Sequence, residues 1–497
     1  MHMNKNFVII TLGLLPLPTL SAAANYSTDI GYGALQAEVG ATLPTGISVS
    51  VSHVEASTVD DTHDDFPQYA PETSSFSGKT FRFPGTASNG PSDHATGVGQ
   101  LFYGEASIAP GIRNISSHET SEWLKTLTTP AGFASVSSSR IANHSWVGDG
   151  ETPADTRTIL RWVDRQVQRN EYIQVVGMAN DAGDFPLLGS AYNVIAVGRT
   201  DGNHDHGSDA VTGDTTYIAG RARPDIVAPR DATSAATPIV SAAAALLVET
   251  GHQGGTRLSH GSTFIDGIGA VYNAERSETI KAALMAGADR QTANVSTAAN
   301  ISDYRSAGHP TANGLDDRFG AGQLNIHNSY HILAAGEQNS REDGGANNGA
   351  IGMSGFDYDP AFGGADGSNR AAAYWFDADS DFTLTASLVW NLQVTNDLAA
   401  TTRLYNLDLA LFDVTAQSTV ARSASTLDNT ENLWTRLFGG HQYELRITTP
   451  ETEQFSWDYA LAWRMAPQVA PIPIPSAAWL FASAFATMGV VGRRKAA

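Results

Sequence analysis

The stretch "DATSAATPIVSAAAALLVETG", Asp231 to Gly251, holds the residue best placed to do chemistry. Ser234 stands at the head of a long Ala-rich helix pattern, shortly before Pro238, with Gly251 as the expected C-terminal stop. From Ser241 onward the residues are small or apolar all round, which assigns the helix to a core. The unpaired N–H groups and positive dipole end of a buried helix then lie beside Ser234, an arrangement that stabilises an oxyanion. The same position also suits an ordinary helix cap, since Ser and Thr are common caps. A nucleophilic Ser needs a base, and usually a carboxylate that orients the base. His94, in "SDHATGVGQ", precedes small residues and a helix pattern. Small residues let such a helix pack close to a sheet, but read alone this histidine is also a structural one. His204 and His206, in "DGNHDHGSD", fall in a polar loop that reads as solvated, although a metal site is conceivable there.

The elements that must position these residues come from a chain of 497 residues, long enough for two or three domains with sizeable cores. Its net charge of −21 argues against a nucleic-acid partner and fits an extracellular or periplasmic protein. The absence of Cys excludes disulfides, thiol catalysis and Cys-based metal sites. Lys5, the apolar run "FVIITLGLLPLPTL" and "SAAAN" together predict a secretory signal peptide over residues 1–24. At the other end, Pro471, Pro473 and Pro475 precede an apolar segment from about Ser476 to Gly492 and the cluster Arg493, Arg494, Lys495.

Between these ends, residues 25–337 alternate strand and helix patterns. "GISVSVSHVEA", "IANHSWV", "YIQVVGMAN" and "YNVIAVGRT" read as strands. "DTRTILRWVDRQVQRN" reads as an amphipathic helix with Ile159, Leu160, Val163 and Val167 on one face, and "ETIKAALMAGA" as another helix. The alternation predicts an α/β fold with a parallel sheet. Residues 338–352 read as a Gly/Asn-rich linker. Residues 353–466, with "FTLTASLVWNLQV", "YNLDLALFDV" and "YELRITT", predict a smaller all-β sandwich or jelly-roll domain. "DADSD" (Asp377, Asp379, Asp381) imitates half a Ca²⁺ loop but lacks its Gly and closing Glu, and reads as a β-turn.

Several segments taken in order resemble the subtilisin-like serine proteases. "HATGVG" is similar to that family's His motif, and "SIAPG" follows it. "VVGMANDAG" resembles the strand end that carries the family's oxyanion Asn, and "YNVIAVGRTD" comes next. "RPDIVAP" with "ATSAATPIVSAAAALL" resembles the Ser motif, and "IKAALMAGAD" and "RFGAGQLNI" the last catalytic-domain helix and the turn after it. The resemblance runs from about residue 46 to residue 335. It implies a subtilisin-like parallel sheet with helices on both faces, Ser234 as nucleophile and His94 as general base. It also implies an oxyanion hole from Asn180 and the Ser234 N–H, and a substrate-pairing strand at Ser145 and Trp146; read alone, Asn180 is a turn residue in "NDAG" and "NHSWV" equally a core strand. Calcium is common in the family, but no site is legible and no metal ligand is assigned. Residues 470–497 resemble the PEP-CTERM sorting signals of Gram-negative bacteria in a Pro-x-Pro variant. That implies a transmembrane segment with transient inner-membrane anchoring, processing by an exosortase-type enzyme, and a final place at the cell surface or outside the cell; a permanent tail anchor is the alternative.

The chain departs from the family most at the acid. The family carries Asp at the end of the first core strand; the matching residue here is Glu55, as Glu also serves in the related sedolisins. Asp60 and Asp61, in "DDTHDDFP", are the alternatives. Ala95, Gly97, Ala232 and Val147 also replace usual motif residues, and the segment before the first core strand is too short for a folding propeptide. The expected function is an exported serine endopeptidase acting on polypeptides through an acyl-enzyme, with no cofactor. The alternatives are a catalytically impaired surface or matrix binding protein, and ester hydrolysis by the same triad.

Overall fold

The computed structural model describes residues 26–57, 68–85, 90–181, 187–342, 349–363 and 369–468. The expected signal peptide and sorting signal, and Asp60 and Asp61, lie outside the described residues. Seven strands form one parallel sheet: β1 (Val51–Glu55), β2 (Thr80–Arg82), β3 (Asn114–Glu119), β4 (Ile141–His144), β5 (Ile173–Gly177), β6 (Ile195–Arg199) and β7 (Ile226–Ala228). Their order is β2-β3-β1-β4-β5-β6-β7, with every pairing parallel. Strands covered on both faces need apolar residues at nearly every position, as "IQVVG" and "IAVGR" supply. Alternate residues feed two separate cores. Val51, Ile115, Ile141, Ile173 and Ile195 face one layer; Val54, Val176 and Ala196 face the other.

The first layer holds α1 (Tyr32–Val39), α2 (Asp93–Phe102), α5 (Thr233–Gly254), α6 (Ser277–Gly287) and α7 (Ile326–Ala334). The second holds α3 (Thr120–Thr126) and α4 (Pro153–Asn170). Helix α4 starts where the Thr152 hydroxyl accepts the Asp155 N–H, has Pro at its first turn, and buries Ile159, Leu160, Val163 and Val167 as the sequence predicts. Strand β1 is shorter than "GISVSVSHVEA" suggests. Gly46 takes a left-handed turn (φ 81°), and the N–H groups of Thr45, Gly46 and Ile47 all donate to the Glu249 carboxylate, so pairing begins only at Val51. Helix α5 also outruns its expected stop. It continues through Gly251 to Gly254 and ends on Gly255 at φ 50°. Gly251 is there for clearance, since a Cβ on it would lie 2.9 Å from the Ala274 main chain.

The C-terminal region is a sandwich of two antiparallel sheets. Its strands are β8 (Arg341–Glu342), β9 (Ser354–Phe362), β10 (Ala371–Ala378), β11 (Phe382–Val389), β12 (Asp408–Asp413), β13 (Ser418–Ser423), β14 (Thr430–Leu437), β15 (His441–Thr448) and β16 (Trp457–Pro467). The sheets run β8-β10-β15-β12-β13 and β9-β16-β11-β14. Between them lie Trp390, Trp463, Tyr374, Leu409, Leu445 and their neighbours. Part of the expected linker belongs to this sheet, because Arg341 and Glu342 pair with Ala373 and Ala372.

The sandwich shares a core with the parallel-sheet domain. Phe356, Tyr358, Val389, Ala460 and Ala462 pack in one cluster with Ile280 and Leu284 of α6. Every residue of α6 is buried as a result. The Thr385 hydroxyl donates to the Ala286 carbonyl at 2.8 Å, Asn391 bonds Glu278, and the Ala222 N–H donates to Asp428 at 2.9 Å.

Candidate active site

In an open parallel sheet, ligands bind beyond the carboxyl ends of the strands, where the chain order changes direction. Here that point lies between β1 and β4, because β3 and β2 extend the sheet on one side of β1 while β4 to β7 extend it on the other. Glu55 is the last residue of β1, Ser145 follows the last residue of β4, and Asn180 follows β5 closely.

Glu55 is buried, 3 % exposed, and both carboxylate oxygens are engaged. Oε2 accepts from His94 Nδ1 at 2.9 Å, and Oε1 accepts from His53 Nε2 at 2.9 Å. Burial pushes the Glu55 carboxyl upward, but the His94 charge and the hydrogen bonds from His53 and His94 outweigh it and hold the group at about 2. The converse acts on His94: burial lowers its pKa, while the Glu55 charge and hydrogen bond raise it above the ordinary 6.5 by a larger net amount. His94 is the second residue of α2, whose start is fixed by the Ser92 hydroxyl accepting the Ala95 N–H.

His53 was not singled out in the sequence, although the signal was there: it stands two residues before Glu55 on the same strand. A period of two puts both side chains on one face. His53 is fully buried, and its Nδ1 lies 2.8 Å from the Tyr103 hydroxyl. Burial, and then the Glu55 charge, push the Tyr103 phenol well above its usual pKa, so it keeps its proton and donates to Nδ1. With Nδ1 accepting, Nε2 carries the proton given to Glu55. Gly99 makes room for this: a Cβ there would stand 2.6 Å from the Tyr103 hydroxyl.

Ser234 is the second residue of α5, and the cap position belongs to Ala232 in extended backbone, so the reading of Ser234 as a helix cap does not hold. Pro238 has no N–H to give the Ser234 carbonyl four residues back. The Ser145 hydroxyl supplies that bond instead, at 3.0 Å. Ser145 is itself held by the Asn143 amide at 3.0 Å, and Asn143 accepts from Ser241 of α5 at 2.9 Å. Asn180 Oδ1 accepts both the Thr233 N–H (2.9 Å) and the Thr233 hydroxyl (3.2 Å). That pins the carboxamide against the first turn of α5 and leaves its NH₂ to donate to a ligand.

The structure therefore joins Glu55 to His94, and joins Asn180 and Ser145 to the backbone beside and at Ser234. It does not join Ser234 to His94. His94 Nε2 is buried and makes no hydrogen bond among the described residues. Catalytic hydrogen bonds of this kind are often loose without substrate. The side chains of Ser145 and Trp146 turn inward, with Trp146 donating from Nε1 to His144 Nδ1 at 3.2 Å, so any pairing with substrate there runs through the main chain. Burial holds His144 at about 3, so it stays neutral. His204 is not in a solvated loop: it is 6 % exposed, packs against Gly198, and accepts the Arg199 N–H at 3.1 Å, with burial lowering its pKa to about 3.

No known protein-family profile matches the chain, and no curated protein matches it in sequence. Solved structures are distantly similar. One, described as proteases from Pseudoalteromonas arctica, is 14 % identical with a TM-score of 0.35, covering 64 % of this chain and 98 % of that one. The pre-peptidase C-terminal domain of a Bacillus anthracis collagenase is 14 % identical with a TM-score of 0.18, covering 24 % of this chain and 100 % of that one. A family 35 carbohydrate-binding module from Cellvibrio japonicus is 17 % identical with a TM-score of 0.16, over 27 % of this chain and 90 % of that one. The functional reading rests on the chain's own site.

Proposed function

We propose that this protein is a serine endopeptidase of the subtilisin-like kind, with Ser234, His94 and Glu55 as its triad. The observation that carries the reading is the buried Glu55–His94 pair, 2.9 Å long, at the switch point of a parallel sheet that also presents the first turn of α5 and the Asn180 amide, whose NH₂ makes no hydrogen bond among the described residues. Ser234 Oγ attacks the carbonyl carbon of an extended peptide and gives its proton to His94 Nε2. Glu55 holds the Nδ1–H and stabilises the imidazolium. The developing oxyanion takes hydrogen bonds from Asn180 Nδ2 and the Ser234 N–H, where one side-chain donor is worth roughly 3–4 kcal/mol in the transition state. His94 then protonates the leaving amine, and water, activated by His94, hydrolyses the acyl-enzyme.

A fluorophosphonate probe tests this. The native protein takes up the label, and Ser234→Ala abolishes uptake. Absence of label on folded native protein overturns the enzyme reading and favours the second one, a surface or matrix binding protein, for which the lack of a His94 Nε2 hydrogen bond to Ser234 speaks. The N- and C-terminal sequence patterns support export and exosortase-type processing of the 470–497 tail. Intact-mass measurement of protein from membrane and surface fractions tests that, and an uncleaved surface form would count against it.

A further inference from the structure

The structure assigns, by our inference, a second site on the face of the parallel-sheet domain formed by α1 and α7: Glu38, His327 and His331 form a binding site for a late first-row divalent metal ion such as Zn²⁺. His327 and His331 are four residues apart on α7, so their rings share one helix face. Their Nε2 atoms converge on one carboxylate, with His327 2.7 Å and His331 3.1 Å from Glu38 of α1. All the ligand atoms lie within 4.8 Å of one another. Ligands about 2.0–2.2 Å from a tetrahedral ion stand roughly 3.3–3.5 Å apart, so the group needs only a small opening to admit one.

The donors are held by a rigid frame. The Ile326 N–H, at the start of α7, donates to the Ile30 carbonyl just before α1 at 2.8 Å. Gly31, at φ 74°, lets the helices meet: a Cβ there would lie 2.6 Å from Asn325 Oδ1 and 3.1 Å from His327 Cβ. Leu35 and Ile326 are buried in the same core beneath the site. The three donors are partly exposed, which leaves an ion a way in and a water at the fourth position.

Two imidazoles and one carboxylate suit Zn²⁺, Co²⁺, Ni²⁺ or Cu²⁺ better than Ca²⁺ or Mg²⁺, which take oxygen donors. The second candidate cluster, His309, Asp316 and Asp317, differs in an instructive way. Arg318 already sits on Asp316, with Nε 3.3 Å from Oδ1 and Nη2 3.2 Å from Oδ2, and so takes the charge an ion would need. Glu38 has no Lys or Arg among its ion-pair partners in the described residues. An ion at Glu38 would clamp α1, the first long helix described, onto α7, and would stabilise the folded chain because it binds only when both helices are in place.

Equilibrium dialysis of the whole purified protein against Zn²⁺ tests the site, with the visible absorption of the Co²⁺ form as a second readout. We expect one equivalent of Zn²⁺, a raised Tm, no competition by Ca²⁺, and imidazole-type Co²⁺ absorption. His327→Ala and His331→Ala each weaken binding by at least about tenfold. Fluorophosphonate labelling of these variants is unchanged, so the result stands apart from the hydrolase reading. Failure to take up Zn²⁺ saturably, or uptake undiminished in the His327→Ala/His331→Ala protein, overturns the proposal; the latter places the ion on other histidines.

Discussion

Glu55 and Ser234 belong to one candidate site but are held by different means. Glu55 is fixed by charge and side-chain hydrogen bonds in a dry setting: His94 on one oxygen, His53 on the other, Tyr103 behind His53. Ser234 is fixed through its main chain. Helix α5 sets its place, Ser145 takes up the carbonyl that Pro238 leaves free, and Asn180 is tied to Thr233 beside it. In the proposed reaction the first arrangement would control protonation, and the second where a hydroxyl and an oxyanion stand. Damage to the first should move pH profiles, and damage to the second should change rates with the profile in place.

The largest expected effect after loss of Ser234 itself is that of Glu55→Gln, on the order of 10³–10⁴-fold in kcat, as for a triad that loses its orienting acid. The pH profile adds a sign. In the proposed mechanism His94 must be neutral to act as base, and Glu55 raises its pKa above the ordinary 6.5, so the acid limb of kcat/KM should be displaced upward and should move down in Glu55→Gln. Stability runs the other way. The His94 contribution is complete below pH 6.5 and is lost as pH rises through its raised pKa. Glu55, held at about 2 against an ordinary 4.5, contributes above pH 4.5 and loses that contribution as pH falls toward 2, on the order of 3 kcal/mol for the pair counted once. Denaturation midpoints against pH should therefore give greatest stability from this pair between about pH 4.5 and 6.5. An acid limb unmoved by Glu55→Gln would show that another carboxylate serves His94.

Asn180→Ala comes next. It should lower kcat by about 10²–10³-fold with little change in KM and leave the acid limb in place, as expected for an oxyanion donor. A fall in KM-dependent binding alone would make Asn180 a turn residue. His53→Phe should lower kcat/KM by about ten- to hundredfold and shift the acid limb, because it removes one hydrogen bond to a buried charge. His53→Gln, which keeps an N–H donor, should recover part of this; equal loss in both would leave only a packing role. The smallest effect on turnover is expected of Ser145→Ala. It strands the Ser234 carbonyl and lowers stability by about 1–3 kcal/mol, measurable by urea unfolding, while Ser145→Thr keeps the bond.

Much of the parallel-sheet domain could be read from pattern because its strands are apolar runs and α4 has both a clear stripe and a cap. The Glu55–His94 pair was legible through motif order and the position of Glu55 at a strand end. What escaped were contacts that depend on fine packing. Nothing in "SHVEAS" tells that His53 finds Tyr103, since that needs the clearance at Gly99. His204 looked solvated because Gly and Asp surround it, yet a glycine on the neighbouring strand opens a slot that swallows the ring. The depth of the seam between the two halves was also hidden, because α6 carries Glu278 and Lys281 yet buries both: Lys281 pairs with Asp225 at 3.0 Å, and Asn391 reaches Glu278.

That seam sets the order in which the molecule can become itself. Helix α6 is covered on one side by helices of the parallel-sheet domain and on the other by β11 and β16, and β16 is the last strand described. A growing chain delivers Glu55, His94 and Ser234 early and the wall of this shared core late. Until Trp457–Pro467 arrives, one flank of α6 faces water, so the core shared by the two halves closes only after nearly all of the described chain is in place.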